Sequence, residues 1–458
     1  MNRMPVEPPR IPRRNTGVTP SPPFRDRLMA LSTNLRPAAW TRSGIAGGAT
    51  IALFGWLLAC AGAAGGADEV RAGAQDYRLS GEFGLSVHQV GDSIVVRWMT
   101  DALVEGSLEV TTGAGDVVHR DATEAWTSHR SAFATPAEDS IQLHYGDADA
   151  RHRTWIHLAE RDPRPVRITG VDSLFVMADI HGEYDQMVGI LQNAGLIDEE
   201  LRWTGGERHL VALGDMMSRG AEVTPVLWFL YRLEREAEAS GGRVHIVLGN
   251  HEIMVMLSDL RYVHYREMWL ATSYGLGYDR MFDPRESILG RWLTEAPAML
   301  QVDDILLAHG GVSSDQLAFT VESHRDTLAA YMAEDLFHRW GDTTAFFDID
   351  SITFNRRVDF FWGDRSVFWY RGYSDSDTLT AELDSVLEHF DSRIHVMGHT
   401  PVPGIREVYD GRMILANPLP LGDEILLLVR SEEEGRWRGE RFRAEGPPLP
   451  LEVGHPEG

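Results

Sequence analysis

Cysteine is almost missing from this sequence: Cys60 is the single one among 458 residues. No internal disulfide can form, so packing and hydrogen bonds must hold the fold. A positive balance of charge is missing too. Asp and Glu number 68 against 43 Lys and Arg, a formal charge of −25. This argues against binding of nucleic acid over a broad surface, which rests on clustered cations. The excess reads as a solvated acidic surface. It leaves the substrate open, because bound metal ions can make a local site positive whatever the overall charge.

Charge of either sign is absent between Arg42 and Asp68, where residues 51–58 form an apolar core. This pattern reads as a secretory signal rather than part of a fold. The 44 residues before it are rich in Pro and Arg, lack apolar periodicity and read as disordered, and a true start at Met29 would shorten them. Cys60 follows Leu57-Leu58-Ala59 and precedes Ala61-Gly62-Ala63, which resembles the lipobox of bacterial lipoproteins. The resemblance implies an acylated Cys60 and an exported protein tethered to a membrane, facing the periplasm or the cell exterior. A cleaved signal that frees the protein, or an uncleaved transmembrane anchor, are the alternatives. The length allows two or three domains. The expected division is a leader at 1–67, an all-β domain at 78–165, a catalytic domain at 170–440 and a tail at 441–458.

Between residues 85 and 158, short alternating segments are separated by Gly, Asp and Pro. Strands are expected at 85–90, 94–98, 107–111, 130–134, 140–145 and 154–158. Their spacing suggests a β-sandwich of the immunoglobulin or fibronectin III kind with Trp98 in its core. His88, His144, His152 and His157 have no close ligand spacing and read as structural.

From Val171 the pattern turns to α/β. Strands are expected at 174–178, 209–213, 244–248, 305–308 and 394–396, with helices at 184–194, 221–240 and from about His251. The aromatic-rich region 254–299 reads as mostly helical, its rings serving packing with one face left to line a pocket. Polar residues follow these strands directly: Asp179 and His181, Asp215, Asn250, His309 and His399. Open α/β sheets place their sites there. Asp179 and His181 are two apart, so an extended backbone aims both the same way. Asp215 is a second carboxylate, able to bridge two ions, with Arg219 four residues on to meet a phosphate. Mixed oxygen and nitrogen donors suit Mn, Fe, Zn or Ni better than Ca. Two such ions about 3.5–4 Å apart clamp an in-line displacement at phosphorus and lower the pKa of a water between them.

These blocks resemble the calcineurin-like metallophosphoesterases over roughly 250 residues, in their phosphoprotein phosphatase branch. The motifs Gly214-Asp215-Met216-Met217-Ser218-Arg219-Gly220, Asp259-Leu260-Arg261-Tyr262-Val263 and Trp369-Tyr370-Arg371 are similar to those of the bacterial Shewanella-like protein phosphatases. The resemblance implies a mixed β-sandwich flanked by helices. It implies a first metal held by Asp179, His181 and Asp215, and a second by Asp215, Asn250, His309 and His399. Arg219 and Arg371 would clamp phosphate, with Arg357 as the alternative to Arg371. His251 would protonate the leaving oxygen, supported by Glu252. One residue departs from the pattern: Ser218 stands where the family has the Asp that orients this histidine. Purple acid phosphatases carry a metal-binding Tyr there, so Ser218 also separates the chain from them.

Three functions follow. The first is an exported phosphatase of phosphoproteins, on Tyr or on Ser/Thr. The second is a hydrolase of small phosphoesters such as dinucleoside polyphosphates, which Gly398-His399-Thr400-Pro401 also resembles. The third is a phosphate-binding protein without turnover, for which Ser218 is the sole argument.

Overall fold

The computed structural model describes residues 84–147, 151–159, 161, 163–333, 351–420, 422–431 and 437–453. The leader, the apolar stretch 51–58 and Cys60 lie outside the described residues. Among the described residues no helix is long and apolar enough to cross a membrane.

The first described segment is all-β, as its alternation requires. Its strands are β1 (Ser86–Val90), β2 (Ser93–Thr112), β3 (Val117–Ala134), β4 (Ser140–Gly146) and β5 (Arg151–His157). They form one antiparallel sheet instead of the two stacked sheets of the expected sandwich. The reason lies in β2. Residues 94–98 and 107–111 are two ends of one strand of 20 residues. One end pairs with β1 and the other with β4, while β3 follows its other edge. Register shifts between Met99 and Val104, and again before Gly106, bend the strand where a turn was expected. Trp98 is fully buried, with Nε1 donating to the Gly146 carbonyl at 3.0 Å.

The chain then alternates strand and helix. It runs through β6 (Arg167–Ile168), β7 (Ser173–Met177), α1 (Tyr184–Asn193), β8 (His209–Leu213), α2 (Val223–Ala239), β9 (Arg243–Val247), α3 (Asn250–Met256), α4 (Tyr265–Ser273) and α5 (Ile288–Thr294). Next come β10 (Met299–Val302), β11 (Ile305–Ala308), α6 (Val321–Ala333), α7 (Ser351–Trp362), α8 (Gly372–Asp375), α9 (Thr380–His389) and β12 (Ile394–Met397). The described chain closes with β13 (Arg406–Val408), β14 (Met413–Leu415), β15 (Ile425–Arg430), β16 (Trp437–Phe442) and β17 (Leu449–Leu451).

Two six-stranded mixed sheets result, in the orders β13-β14-β12-β11-β10-β6 and β17-β16-β15-β7-β8-β9. Leu174, Val176, Val211 and Leu426 of one pack with Leu307, Ile394, Val396 and Ile414 of the other in a single apolar cluster. The opposite face of β7 and β8, through Phe175, Met177, Leu210 and Ala212, packs in the cluster that contains α2. Strands covered on both faces need continuous apolar runs, which is what 174–178 and 209–213 are. This is the expected mixed β-sandwich flanked by helices. The expected tail is partly structured: β17 pairs with β16 as an edge strand, where Pro450 is tolerated.

The N-terminal sheet shares its core with the α/β part. Leu85, Val87 and Trp98 belong to the same apolar cluster as Trp228, Tyr231 and Trp292. Trp228 Nε1 donates to the Leu85 carbonyl at 2.8 Å, and the His157 amide donates to Tyr231 Oη at 3.0 Å. His88 Nε2 lies 3.1 Å from the Arg280 carbonyl oxygen, a structural role in keeping with its burial.

Candidate metal centre

Each expected ligand lies just past a strand end. Asp179 and His181 follow β7, Asp215 follows β8, Asn250 opens α3 after β9, His309 follows β11 and His399 follows β12. β7, β8 and β9 are mutually parallel, and β11 is parallel to β12, so within each sheet these ends open on one side. Main-chain hydrogen bonds stitch the loops after β7 and β8: Asp179 N–H to the Gly214 oxygen at 3.2 Å, and His181 N–H to the Asp215 oxygen at 2.9 Å. The backbone there is contorted. Asp179, His181, Asp215, Ser218, Arg219 and His399 all have φ between 49° and 70°. Such left-handed conformations cost of order 1–3 kcal/mol each and persist where surrounding structure enforces them. Two glycines are required by close approach. A Cβ at Gly398 would lie 2.6 Å from Asp179 Oδ1, and one at Gly249 would collide with Oδ1 and N of Asp215.

The result is a buried constellation around Asp215. Its Oδ2 lies 3.7 Å from His181 Nε2, 3.8 Å from His251 Nε2 and 3.2 Å from His309 Nε2. His309 Nε2 is also 3.0 Å from Asn250 Oδ1 and 3.2 Å from His399 Nδ1. Two groups able to hold a cation share Asp215: His181 with His251, and His309 with His399. The second matches the expected second ligand set, with Asn250 beside it. The first contains His251, whereas Asp179 stands apart, 4.0 Å from His309 Nδ1. Both Asp179 oxygens are engaged: Oδ1 accepts the His399 N–H at 3.0 Å, and Oδ2 accepts the Asn417 amide at 2.6 Å.

The residues fit metal. In each group the carboxylate of Asp215 and one nitrogen from each of two histidines lie within 4.8 Å of one another, all buried, a mixed oxygen and nitrogen donor set that suits a transition-metal ion. Electrostatics point the same way. Burial opposes a charge on His309, but the carboxylates of Asp215 and Asp179 outweigh it and raise the ring's pKa to about 9, as a site that favours positive charge would. Burial also opposes the charge of Asp215, yet the surrounding histidines, His309 first, hold its carboxyl well below the usual range. Burial pushes Asp179 up to about 7 and holds His181 down at about 4 and His399 at about 2, as neutral nitrogen donors require.

Glu252 is placed as support and not as a ligand. Its carboxylate accepts the main-chain N–H groups of Asp215 at 2.9 Å, Met217 at 2.9 Å and Gly249 at 2.8 Å. It thereby ties the start of α3 to the loop after β8. Ser218 does not hold His251, whose Nδ1 lacks any partner. Burial lowers the His251 pKa; Asp215 opposes this, and the Arg219 charge adds to it. The Arg219 side chain is exposed above Tyr262, its Cζ 5.6 Å from the ring centroid, and its charge also depresses His181. Arg371 stands at the other end of the centre, with Nη1 3.2 Å from the His399 oxygen and 3.3 Å from Thr400 Oγ1. Arg357 instead packs on the Tyr331 ring at 5.1 Å. Asn417 was not among the expected residues. It follows β14 as the others follow their strands, and the apolar run 413–416 was the signal that could have found it.

A model of the calcineurin-like phosphoesterase family matches residues 173–416, more than half of the chain. Shewanella-like protein phosphatase 2 of Arabidopsis thaliana is 27% identical over 276 residues, which are 50% of this chain and 66% of that protein. Shewanella-like protein phosphatase 1 of Plasmodium berghei is 26% identical over 239 residues, 61% of its length. The chain therefore spans a little under two thirds of these two relatives. A symmetrical bis(5'-nucleosyl)-tetraphosphatase of Cronobacter sakazakii is 27% identical over 172 residues, 36% of this chain and 52% of that protein. Among solved structures, a cold-active protein-tyrosine phosphatase of a psychrophilic Shewanella superposes with a TM-score of 0.62 at 25% identity. That match covers 81% of this chain and 98% of that one.

Proposed function

Since the chain belongs to the calcineurin-like phosphoesterase family and is similar to the Shewanella-like protein phosphatases, we propose that it is a metal-dependent phosphatase that hydrolyses phosphomonoesters of proteins at a dinuclear centre. The observation that carries this is Asp215, one buried carboxylate shared by two histidine groups at parallel strand ends. Asp179, His181 and Asp215 would hold one divalent transition-metal ion, and Asp215, Asn250, His309 and His399 a second. Mn, Fe, Zn and Ni all suit these donors. Bound there, the ions supply an activated water and neutralise charge on the phosphoryl group. Arg219 at the His181–His251 end and Arg371 at the His399 end fix the phosphate oxygens. His251 carries a proton to the leaving oxygen, and Glu252 holds the backbone that presents Asp215. Because the solved neighbour is a protein-tyrosine phosphatase, phosphotyrosine proteins are the first substrates to assay.

The test is direct. Wild-type protein reconstituted with Mn should bind close to two ions and hydrolyse phosphotyrosine peptide. Asp215→Asn should lose bound metal by elemental analysis and drop turnover by roughly a thousandfold or more, the scale expected when the charge holding a catalytic centre is removed. A metal-free active enzyme would overturn the reading. Diadenosine tetraphosphate assayed in parallel separates the small-phosphoester alternative, and phosphate binding without turnover would favour the non-catalytic one. The same proposal has the enzyme exported and acylated at Cys60. A fatty-acid analogue should label the wild type and not Cys60→Ala, and a wild type that is membrane-bound but unlabelled would favour a transmembrane anchor.

A further inference from the structure

Tyr262 is 46% exposed at the rim of a centre whose other members are almost wholly buried. Its ring centroid is 5.3 Å from that of His251, tilted by 45°. The guanidinium carbons of Arg219 and Arg261 lie 5.6 and 5.7 Å from the same ring. The Tyr262 carbonyl accepts the Arg219 N–H at 2.7 Å, so the loop carrying the ring is pinned to the loop carrying the arginine. Exposure continues along α4, with Tyr265 at 75%, Met268 at 38% and Trp269 at 51%. A half-exposed ring keeps surface open to a ligand. This one is held beside both the histidine that meets the leaving oxygen and an exposed cation suited to phosphate.

We propose that Tyr262 is the platform for the leaving group's ring, biasing the enzyme toward aryl phosphoesters such as phosphotyrosine over alkyl esters such as phosphoserine. The inference rests on the phosphatase reading above. With phosphate held near Arg219 and the leaving oxygen at His251, whatever is attached to that oxygen passes the Tyr262 face. A phenyl ring meets it as an aromatic pair, whereas a serine methylene offers one carbon. Aromatic pairs gain roughly 0.5–1.5 kcal/mol beyond area burial, about 2- to 13-fold in kcat/KM. The two arginines against the same ring bind it further by cation–π attraction and keep it in place.

The experiment uses the Mn-reconstituted full chain with Tyr262→Leu and Tyr262→Phe. Phosphotyrosine and phosphoserine peptides of otherwise identical sequence are compared. Tyr262→Leu should lose about 2- to 13-fold in kcat/KM on phosphotyrosine and distinctly less on phosphoserine. Tyr262→Phe should keep the wild-type ratio. Inhibition by phenylphosphonate against methylphosphonate reads the same contact without the chemical step. Tyr262→Leu should weaken the phenyl compound by a similar factor and the methyl compound less. Equal losses on both peptides and both inhibitors would mean that Tyr262 acts only through Arg219, and would overturn the proposal. So would unchanged constants. A wild type inactive on both peptides would overturn the phosphatase reading first, and this proposal with it.

Discussion

The Asn417 amide donates to Asp179 Oδ2 at 2.6 Å, while its own Oδ1 is buried without a partner. It reaches across 238 residues of sequence to fix one carboxylate. A carboxylate that must present itself to a cation loses affinity when free to turn, typically 10–100-fold when such a supporting contact is removed. Asn417→Ala should therefore weaken Mn binding by roughly 10–100-fold in a metal titration, with most of the activity recovered at saturating metal. Unchanged affinity would show that the His399 N–H alone orients Asp179. At this scale the sequence made the candidate donors legible, because each follows an apolar run directly. Asn417 carried the same signal but belonged to no recognised block.

Helix α4 turns the usual pattern around. Glu267 is fully buried while Tyr265 and Trp269 face solvent. Of the aromatics in 254–299, Tyr278, Phe282 and Trp292 are buried in packing as expected, while Tyr265 and Trp269 leave one face open. The carboxylate of Glu267 docks α4 on α2, accepting the Thr224 N–H at 3.0 Å and bonding Thr224 Oγ1 at 2.6 Å. Burial pushes Glu267 up to about 7 from 4.5, against those hydrogen bonds. Between these two values the folded protein keeps a proton that the unfolded chain has released. Stability must then fall as pH rises through that window and level off above it, by on the order of 3 kcal/mol at most. Glu267→Gln keeps the shape and removes the titration. Its urea midpoint should drop less than the wild type's between pH 5 and pH 8. Parallel drops in both proteins would place the effect elsewhere.

Over the whole molecule, the N-terminal sheet and the α/β part are one packed body along β1, β5, α2 and α5. Besides the bond from Trp228 and the one Tyr231 accepts, the Gln89 main-chain N–H donates to the Glu286 oxygen at 2.7 Å, and Arg291 donates to Gln89 Oε1 at 2.9 Å. Uncovering Trp228 and Tyr231 alone would cost on the order of 5 kcal/mol. That is comparable to the entire stability of many domains. A chain beginning at residue 166 should therefore be insoluble or bind hydrophobic dye. The longer protein should show one calorimetric transition for both parts. A truncated chain melting at the wild-type temperature would establish a separate catalytic domain.

The sequence by itself determined the alternation of strand and helix after Val171 and the kinds of donor at the strand ends. Both are local properties: apolar runs must be covered on two faces, and a polar residue just past a run must leave the sheet there. Ser218 was legible as a departure for the same reason, since a motif is local. Which donors come together was decided by tertiary structure alone. The packing of two sheets against each other brought His309 to Asp215, turned Asp179 toward Asn417 and left His251 beside His181. Whether residues 94–98 and 107–111 are two strands or one depended on which edges they found, and whether an aromatic on α4 is core or rim depended on what packs against it. Those are facts about distant segments, and no window of sequence contains them.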